Sequence, residues 1–144
     1  MSLNVEHMKI LINNLIPFPG YTAMNIFGIL FVRKDRQSSV TGTVINHERI
    51  HTEQQKEVTI VGAVLAAAFW YFLSWWSLLF LLLFYGWYIL EWIFKVFWYG
   101  ELQIAYHAIG FEKEAFCNEA DFSYLDSRKR FAWLKYIFRS VNLD

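Results

Sequence analysis

The feature that most constrains the fold is an apolar stretch from residue 58 to residue 99. It is interrupted only by a Ser-Trp-Trp-Ser sequence at 74–77 and by Glu91 and Lys95. Two segments, 58–76 and 78–98, each hold about 20 residues, which is enough to cross roughly 30 Å of hydrocarbon. The sequence therefore predicts a transmembrane helical hairpin. The alternative is a pair of core helices in a small soluble or dimeric protein, but residues 78–85 leave no polar face for water.

The distribution of charged and aromatic residues favours the membrane hairpin. The chain is 56% hydrophobic and 20% aromatic, well above a typical soluble domain in aromatic content. Trp75 and Trp76 lie where an interfacial aromatic belt is expected. All thirteen Lys and Arg residues lie before the first segment or at and after the end of the second. Under the positive-inside rule, both termini face the cytoplasm, which predicts an inner-membrane protein in a bacterium. Glu91 and Lys95 have the spacing of a helical ion pair.

Charge, cysteine content and the first residues exclude several other classes. Thirteen acidic residues balance the thirteen basic ones, so the chain lacks the positive charge of a nucleic-acid-binding protein. Cys117 is the single cysteine, and an internal disulfide is therefore impossible. Residues 1–16 lack the apolar core and cleavage site of a secretory signal. The length predicts one domain.

A motif just before the apolar stretch, His47-Glu48-Arg49-Ile50-His51, has the spacing of a metal site on a helix. Residues four apart lie on one helix face, so both imidazoles can reach one cation. Zinc on three protein ligands keeps a position open for water and lowers the pKa of that water to about 7. A neighbouring carboxylate then acts as general base. The motif predicts His47 and His51 as metal ligands and Glu48 as the catalytic base. The alternative is a solvated helix face.

Three side chains beyond the apolar stretch are candidates for the third ligand, since a hairpin returns the chain to the side it left. His107 lies on a helix predicted at 101–108 and ended by Gly110, and Glu112 and Glu114 lie on a helix predicted at 111–125. Glu112 and Glu114 are about 200° apart around a helix, so only one of them can point at the metal. Helical spacing alone does not decide which of the three side chains is the third ligand.

The residues before the motif predict a small β element and the start of the motif helix. A turn is expected at 16–20, and residues 21–32 are rich in aromatic and branched side chains, which indicates a strand. This strand is expected to pair with residues 39–44 through a charged turn at 33–36. An edge strand beside a metal-binding helix can hold an extended peptide. The helix is expected to begin near Thr41 or Thr43 and to continue without a break to Val58, which places the metal just above the lipid headgroups.

These residues resemble the gluzincin type of zinc metallopeptidase. In that type a glutamate on a later helix, three residues before an alanine, completes a His-His-Glu site, and here the sequence Glu112-Lys113-Glu114-Ala115 follows the HExxH motif. The chain is also similar to a family of small bacterial membrane proteins over residues 46–55 and 111–119, and at 25–28 and 124–128. The resemblance implies a zincin-like minimal catalytic core interrupted by a two-helix transmembrane hairpin.

The resemblance also implies roles for individual residues. His47, His51 and Glu112 are expected to bind Zn²⁺, with Glu48 as general base. Gluzincins often place an aspartate just after the alanine, to support a ligand histidine, and this chain has Phe116 there.

In an alternative register, Asn118, four residues after Glu114, is expected to take the role of that missing aspartate. There, Asn118 would hydrogen-bond a ligand histidine and Glu114 would be the third ligand.

The sequence predicts one mainly α domain with a small β element. Residues 1–57 form the strand region and motif helix, 58–99 the hairpin, and 100–144 the third-ligand helix and a C-terminal segment. That segment, at 128–139, mixes aromatic and basic residues, which predicts an interfacial helix on anionic lipid. Packing on the catalytic domain is the alternative.

The predicted function is that of an integral-membrane zinc metallopeptidase. It would cleave a peptide or protein substrate near the cytoplasmic surface of the lipid bilayer. A zinc-binding scaffold or sensor without catalysis is one alternative. An α-helical membrane protein without metal is another.

Overall fold

A four-stranded sheet occupies the N-terminal part of the protein. The structure, a computed structural model, describes residues 2–5, 8–17 and 21–139. The strands are β1 (Ser2–Val5), β2 (Met8–Asn13), β3 (Ala23–Ile26) and β4 (Ile29–Arg33), in the spatial order β1-β2-β4-β3. β2 and β4 are parallel, and the other two pairs are antiparallel. β3 is therefore an edge strand of a mainly helical protein, which confirms the mainly α class with a small β element.

The hairpin predicted between residues 21–32 and 39–44 is wrong, because the chain turns inside the first of these segments. Phe27 and Gly28 both have positive φ, 49° and 76°. Two such residues in succession form the turn that joins twisted antiparallel strands most tightly, and they link β3 to β4. Residues Lys34–Ser39 form a 3-10 helix instead of a turn and strand. The turn predicted at 16–20 falls partly outside the described residues, which leave out 18–20.

The motif helix begins and continues as predicted. The Thr41 side chain caps it by accepting a hydrogen bond from the Val44 N–H at 3.3 Å, which satisfies one of the free donors of the first turn. Helix α1 then runs over Gly42–Leu73 without a break. Its 32 residues extend about 48 Å. The HExxH motif and the first apolar segment are therefore parts of one rigid rod.

The apolar stretch folds back on itself as a hairpin, with a return leg of two parts. Ser74 has φ of 49° and ends α1. A 3-10 helix, Ser74–Leu82, leads back along α1 to helix α2, Leu83–Tyr99. A Cβ atom on Gly62 would lie 2.1 Å from the carbonyl oxygen of Phe80, so the two backbones touch. The predicted Ser-Trp-Trp-Ser turn is thus the first part of the return leg.

The hairpin exposes an unusual amount of apolar surface. Among the described residues, the continuous helical stretch Gly42–Tyr99 is long and apolar enough to cross a membrane, and only 17% of its most apolar 18-residue window is buried. The large exposed side chains include the following residues of the hairpin tip and of α2: Tyr71, Phe72, Trp75, Trp76, Leu90, Phe94 and Phe97. This stretch is thus a candidate for a membrane span by its length and composition.

Between the hairpin and residue 139, the chain forms three short α-helices. They are α3 (Leu102–Ala108), α4 (Gly110–Asn118) and α5 (Tyr124–Ser127). The single helix predicted at 111–125 is wrong, because the chain breaks after Asn118. The Asn46 side chain donates to the carbonyls of Glu119 and Asp121 at 2.9 and 3.1 Å, and the Asp121 carboxylate accepts from the N–H of Ser123 at 3.0 Å. These bonds stabilise a turn in place of helix.

The C-terminal segment packs on the rest of the protein. This is the alternative that the sequence left open, and the predicted interfacial helix does not form. Only Ala132–Tyr136 is helical, as a short 3-10 helix, and Phe131 before it has φ of 56°. Trp133 and Tyr136 are buried. A hydrophobic cluster unites α1, the α2 start, α4 and this segment through the side chains of Val58, Phe84, Ile109, Phe111 and Trp133. The cluster fixes α4 against α1.

Candidate metal centre

His47 and His51 lie on one face of α1, as their spacing predicts. Both side chains are buried, and their Nε2 atoms are 3.1 Å apart. The Nδ1 of each ring is occupied: His47 donates to the Glu119 carboxylate at 2.8 Å and His51 donates to the Gln54 side-chain oxygen at 2.7 Å. A neutral imidazole that donates from Nδ1 has its lone pair on Nε2. Two lone pairs therefore face one another, an arrangement that needs a proton or a cation between them.

Glu112 closes the site from α4. Its carboxylate oxygens lie 3.3 Å from the Nε2 atoms of both histidines. Ligand atoms of a tetrahedral ion at about 2.0–2.1 Å are roughly 3.3–3.4 Å apart, and each histidine has one Glu112 oxygen at that separation, Oε2 for His47 and Oε1 for His51. Glu112 Oε2 is buried and has no hydrogen-bond partner among the described residues. The group His47, His51 and Glu112 can thus hold a metal ion, and the ligand atoms all lie within 4.8 Å of one another.

The other two candidates for the third ligand point elsewhere. The Glu114 carboxylate binds Arg128 at 2.6 Å and accepts from the Tyr124 hydroxyl at 2.8 Å. The His107 ring packs on Phe116, with ring centroids 4.5 Å apart. Neither joins the group of possible ligands that the structure brings together. Phe116 also packs edge-to-face on His47, so it supports that ring by contact where gluzincins often have a carboxylate.

The carboxylate that holds His47 comes from a position that the motif comparison missed. Glu119 lies seven residues after Glu112 and so shares its helix face, which is the signal that would have found it. Asn118, the alternative partner, instead donates to the Glu114 carbonyl at 2.6 Å and to the Tyr136 hydroxyl at 3.1 Å.

A buried polar network connects His51 to the C-terminal segment. Gln54 accepts from His51 and donates through Nε2 to Glu114 at 3.0 Å. Glu114 binds Arg128, and Arg128 also binds Glu57 on α1 at 2.6 Å. Each buried charge in this network has a partner, as the low-dielectric interior requires. The network holds α4 against α1 at a fixed height, which sets the position of Glu112.

Glu91 fixes the start of α4 rather than pairing with Lys95. The Glu91 carboxylate accepts from the Gly110 N–H at 2.9 Å and from the Trp87 indole at 3.0 Å, and a carboxylate at a helix N-terminus is stabilised by the helix dipole. Lys95 donates to the Ile137 carbonyl at 2.7 Å. The predicted Glu91–Lys95 ion pair is therefore wrong. Both side chains instead serve tertiary contacts, which helical spacing does not reveal.

Glu48 is buried beside the three ligands and lines the same cavity. Burial raises the pKa of the Glu48 carboxyl above its ordinary value, although His51 and His47 oppose the shift. Burial also acts to raise the pKa of Glu112, but His51 and His47 outweigh it and hold that pKa well below the ordinary value. The two carboxyl groups thus differ in basicity. The lowered pKa favours the ionised form of Glu112, and the raised pKa makes the Glu48 carboxylate the better proton acceptor.

A cavity of about 500 Å³ opens beside the ligands and extends along edge strand β3. Two hydrogen bonds join this strand to α1: Asn25 on β3 donates to the Glu48 carbonyl at 2.7 Å, and Gln55 on α1 donates to the Asn25 carbonyl at 3.2 Å. Tyr88 reaches in from α2 and donates to Glu112 at 2.7 Å. Tyr106 lies in the wall, where burial and the Glu112 charge raise its pKa and keep the phenol a hydrogen-bond donor.

Comparison with known proteins finds no matching family model, no matching curated protein and no matching solved structure. The resemblance to gluzincins therefore depends on the motif residues of the sequence alone.

Proposed function

We propose that this protein is a membrane-bound zinc metallopeptidase. The observation that carries the proposal is the convergence of His47, His51 and Glu112 from two helices, with Glu48 beside them in an open cavity. Two imidazoles and a carboxylate are the ligand set that zinc takes in hydrolases with a free coordination position. Zinc bound there supplies a Lewis acid that lowers the pKa of a water molecule to about 7.

The protein's own side chains complete the chemistry. Glu48, whose pKa burial raises, accepts the proton of the attacking water and returns it to the leaving amine. Glu119 and Gln54 hold the two imidazole rings in the tautomer that leaves Nε2 free, a contribution that raises ligand basicity.

Edge strand β3 is suited to hold an extended substrate. Ile26 and Ile29, which flank the Phe27-Gly28 turn, pair with each other. The Arg33 N–H donates to the Thr22 carbonyl at 3.2 Å, so Thr22 also directs a backbone group towards β4. Because backbone groups alternate along an antiparallel strand, Ala23 directs its N–H and C=O away from β4. A peptide that adds to this edge would run along the cavity past Glu48.

The hairpin supports a site at the bilayer surface. Its most apolar window is 17% buried, and Trp75 and Trp76 are both more than 70% exposed at the tip. From His51 to the end of α1 at Leu73 is about 33 Å of helix, close to the roughly 30 Å thickness of the hydrocarbon core. With the tip at one interface, the metal centre would lie at the other.

The proposal is tested by the Glu48→Gln variant in purified protein loaded with one zinc. This substitution keeps the shape of the side chain and removes its basicity. We expect unchanged zinc content and a loss of casein or quenched-peptide hydrolysis of about 100-fold or more, the usual contribution of a general base. Glu53→Gln on the exposed part of α1 is the matched control and should hydrolyse as the wild type does.

Two results would count against the peptidase. Equal hydrolysis by Glu48→Gln would remove the assigned base. Zinc binding by the wild type without hydrolysis of any member of a broad peptide library would favour the zinc-binding scaffold.

A further inference from the structure

The cavity beside the metal centre has an apolar rim. Leu82 and Phe84 contribute from the return leg, and Ile26 and Phe27 from the end of β3 and its turn. Leu82 and Phe27 are 46% and 54% exposed, so these two side chains border the opening. The Phe27 ring packs edge-to-face on Tyr85 with centroids 5.3 Å apart. The entrance is therefore framed by apolar and aromatic groups from two separate elements.

Outside the metal centre and its base, the described lining of the cavity offers no counter-charge to a substrate. None of the described residues that line it is Lys, Arg or Asp, and its carboxylates and imidazoles all belong to the metal centre and its base. A charged substrate side chain beside the scissile bond would lose water without gaining an ionic partner from the rest of the lining, which is costly. The lining therefore selects against charge at the positions that flank the bond.

The opposite flank of α1 shows that this composition is specific to the cleft. A second cavity of about 440 Å³ lies there, and its lining includes four cations, Arg49, Lys56, Arg128 and Arg130. The same helix thus separates a cavity lined by several charged side chains from a mainly apolar one. The apolar cavity is the one that contains the metal ligands.

The apolar rim continues into the exposed surface of the hairpin. Leu78 and Leu79, on the same leg as Leu82, are 42% and 58% exposed. A polypeptide that leaves lipid along this leg meets no polar barrier before the rim. At the rim it meets β3, where the outward backbone groups of Ala23 have no hydrogen-bond partner among the described residues and can pair with an extended chain.

We propose that the cleft takes an apolar polypeptide segment that enters from the bilayer in extended form. The substrate class is thus the membrane-embedded or interfacial segment of another protein, cut between apolar residues. This inference rests on the proposed peptidase function.

The test uses the full-length, zinc-loaded protein in phosphatidylcholine–phosphatidylglycerol vesicles. Two quenched fluorescent peptides carry the same apolar membrane anchor, so that both partition equally. One has Leu and Phe on either side of the central bond, and the other has Lys and Asp there. We expect kcat/KM at least about 10-fold higher for the Leu-Phe peptide, since each apolar group in a fitted pocket contributes about that factor or more.

A rim variant separates the effect of the cleft from that of the membrane. Leu82→Lys places a cation at the opening and should reduce the preference for the Leu-Phe peptide to about 3-fold or less. Leu79→Lys adds the same charge to the same leg outside the cavity lining and should keep the wild-type preference.

Binding is measured independently of cleavage by photo-crosslinking both peptides, through a benzophenone beside the central bond, to Glu48→Gln protein. Preferential crosslinking of the Leu-Phe peptide to the cleft supports the inference, even if the wild type cuts neither peptide and the peptidase function fails. Cleavage without preference leaves the peptidase in place and overturns the inference. If the wild type cuts neither peptide and the variant crosslinks to neither, both the peptidase function and the inference are overturned.

Discussion

At the scale of single residues, the contacts behind the ligands determine whether the site can hold a metal. The Glu119 carboxylate accepts from His47 Nδ1 at 2.8 Å and fixes which nitrogen of that ring faces the site. It also makes the ring a better electron donor to a cation. Glu119 is the residue that follows α4, so its position depends on the turn that Asn46 stabilises.

We predict that Glu119→Gln weakens zinc binding by about 10- to 100-fold, the usual effect of losing such a partner. The amide keeps the size of the side chain but removes its charge. Competition with a fluorescent zinc chelator measures the change. Glu101→Gln, at an exposed position with no capping hydrogen bond, removes a carboxylate of equal size and should bind as the wild type does. Equal affinity for the Glu119 variant would contradict the role assigned to it.

The sequence predicted the residues whose relation is local and left open those whose relation is tertiary. His47 and His51 share a helix face because of their spacing alone, so the motif was sufficient. The choice between Glu112 and Glu114 depends on how α4 is rotated. Arg128 decides that rotation by binding Glu114, and its approach from another part of the chain has no periodic signal.

At the scale of elements, the hairpin depends on one glycine. A Cβ on Gly62 would lie 2.1 Å from the Phe80 carbonyl oxygen, whereas a Cβ on Gly86 would meet nothing within 4 Å. The first position allows α1 and the return leg to touch along their backbones. Because the return leg carries Leu82 and Phe84 to the cavity, this contact also sets one wall of the cleft.

We therefore expect opposite results from two equivalent substitutions. Gly62→Ala should destabilise the protein by about 1–3 kcal/mol, the usual cost of overpacking. Gly86→Ala should stabilise it by about 0.5–1 kcal/mol, since alanine favours a helix interior. Thermal unfolding followed by circular dichroism in one detergent gives both values. Equal stability of the two variants would show that the backbones do not touch at Gly62.

Element boundaries were predictable where capping was local. Thr41 caps α1 as its position suggests. The helix continues to Val58 as predicted, since residues 52–57 contain neither Gly nor Pro. The turn at Phe27 was missed because a phenylalanine seldom adopts positive φ. The break after Asn118 was missed because Asn46, more than seventy residues away, provides the hydrogen bonds that stabilise it.

At the scale of the whole molecule, an apolar hairpin projects from a body that carries the metal centre. The free thiol of Cys117 is exposed on α4 and reports the side on which that body lies. Because it is the only cysteine in the chain, labelling needs no further substitution.

We predict that a membrane-impermeant maleimide labels Cys117 only from the cytoplasmic face of inner-membrane vesicles. In a Cys117→Ser background, Trp76→Cys at the hairpin tip should be labelled only from the opposite face. Sealed vesicles of known orientation provide the measurement, and detergent-opened vesicles are the control for reactivity. Labelling of both positions from one face would contradict a hairpin that crosses the bilayer.

The central claim is that His47, His51 and Glu112 form a zinc centre, and zinc titration of three untagged proteins tests it most directly. Wild type should bind one zinc per chain, and so should Glu114→Gln, because the amide oxygen can still accept from Arg128 and Glu57 remains as its ionic partner. Glu112→Gln should bind at least about 100-fold more weakly, beyond the range for losing only a partner of a ligand. Unchanged affinity in Glu112→Gln, together with loss in Glu114→Gln, would contradict the assignment.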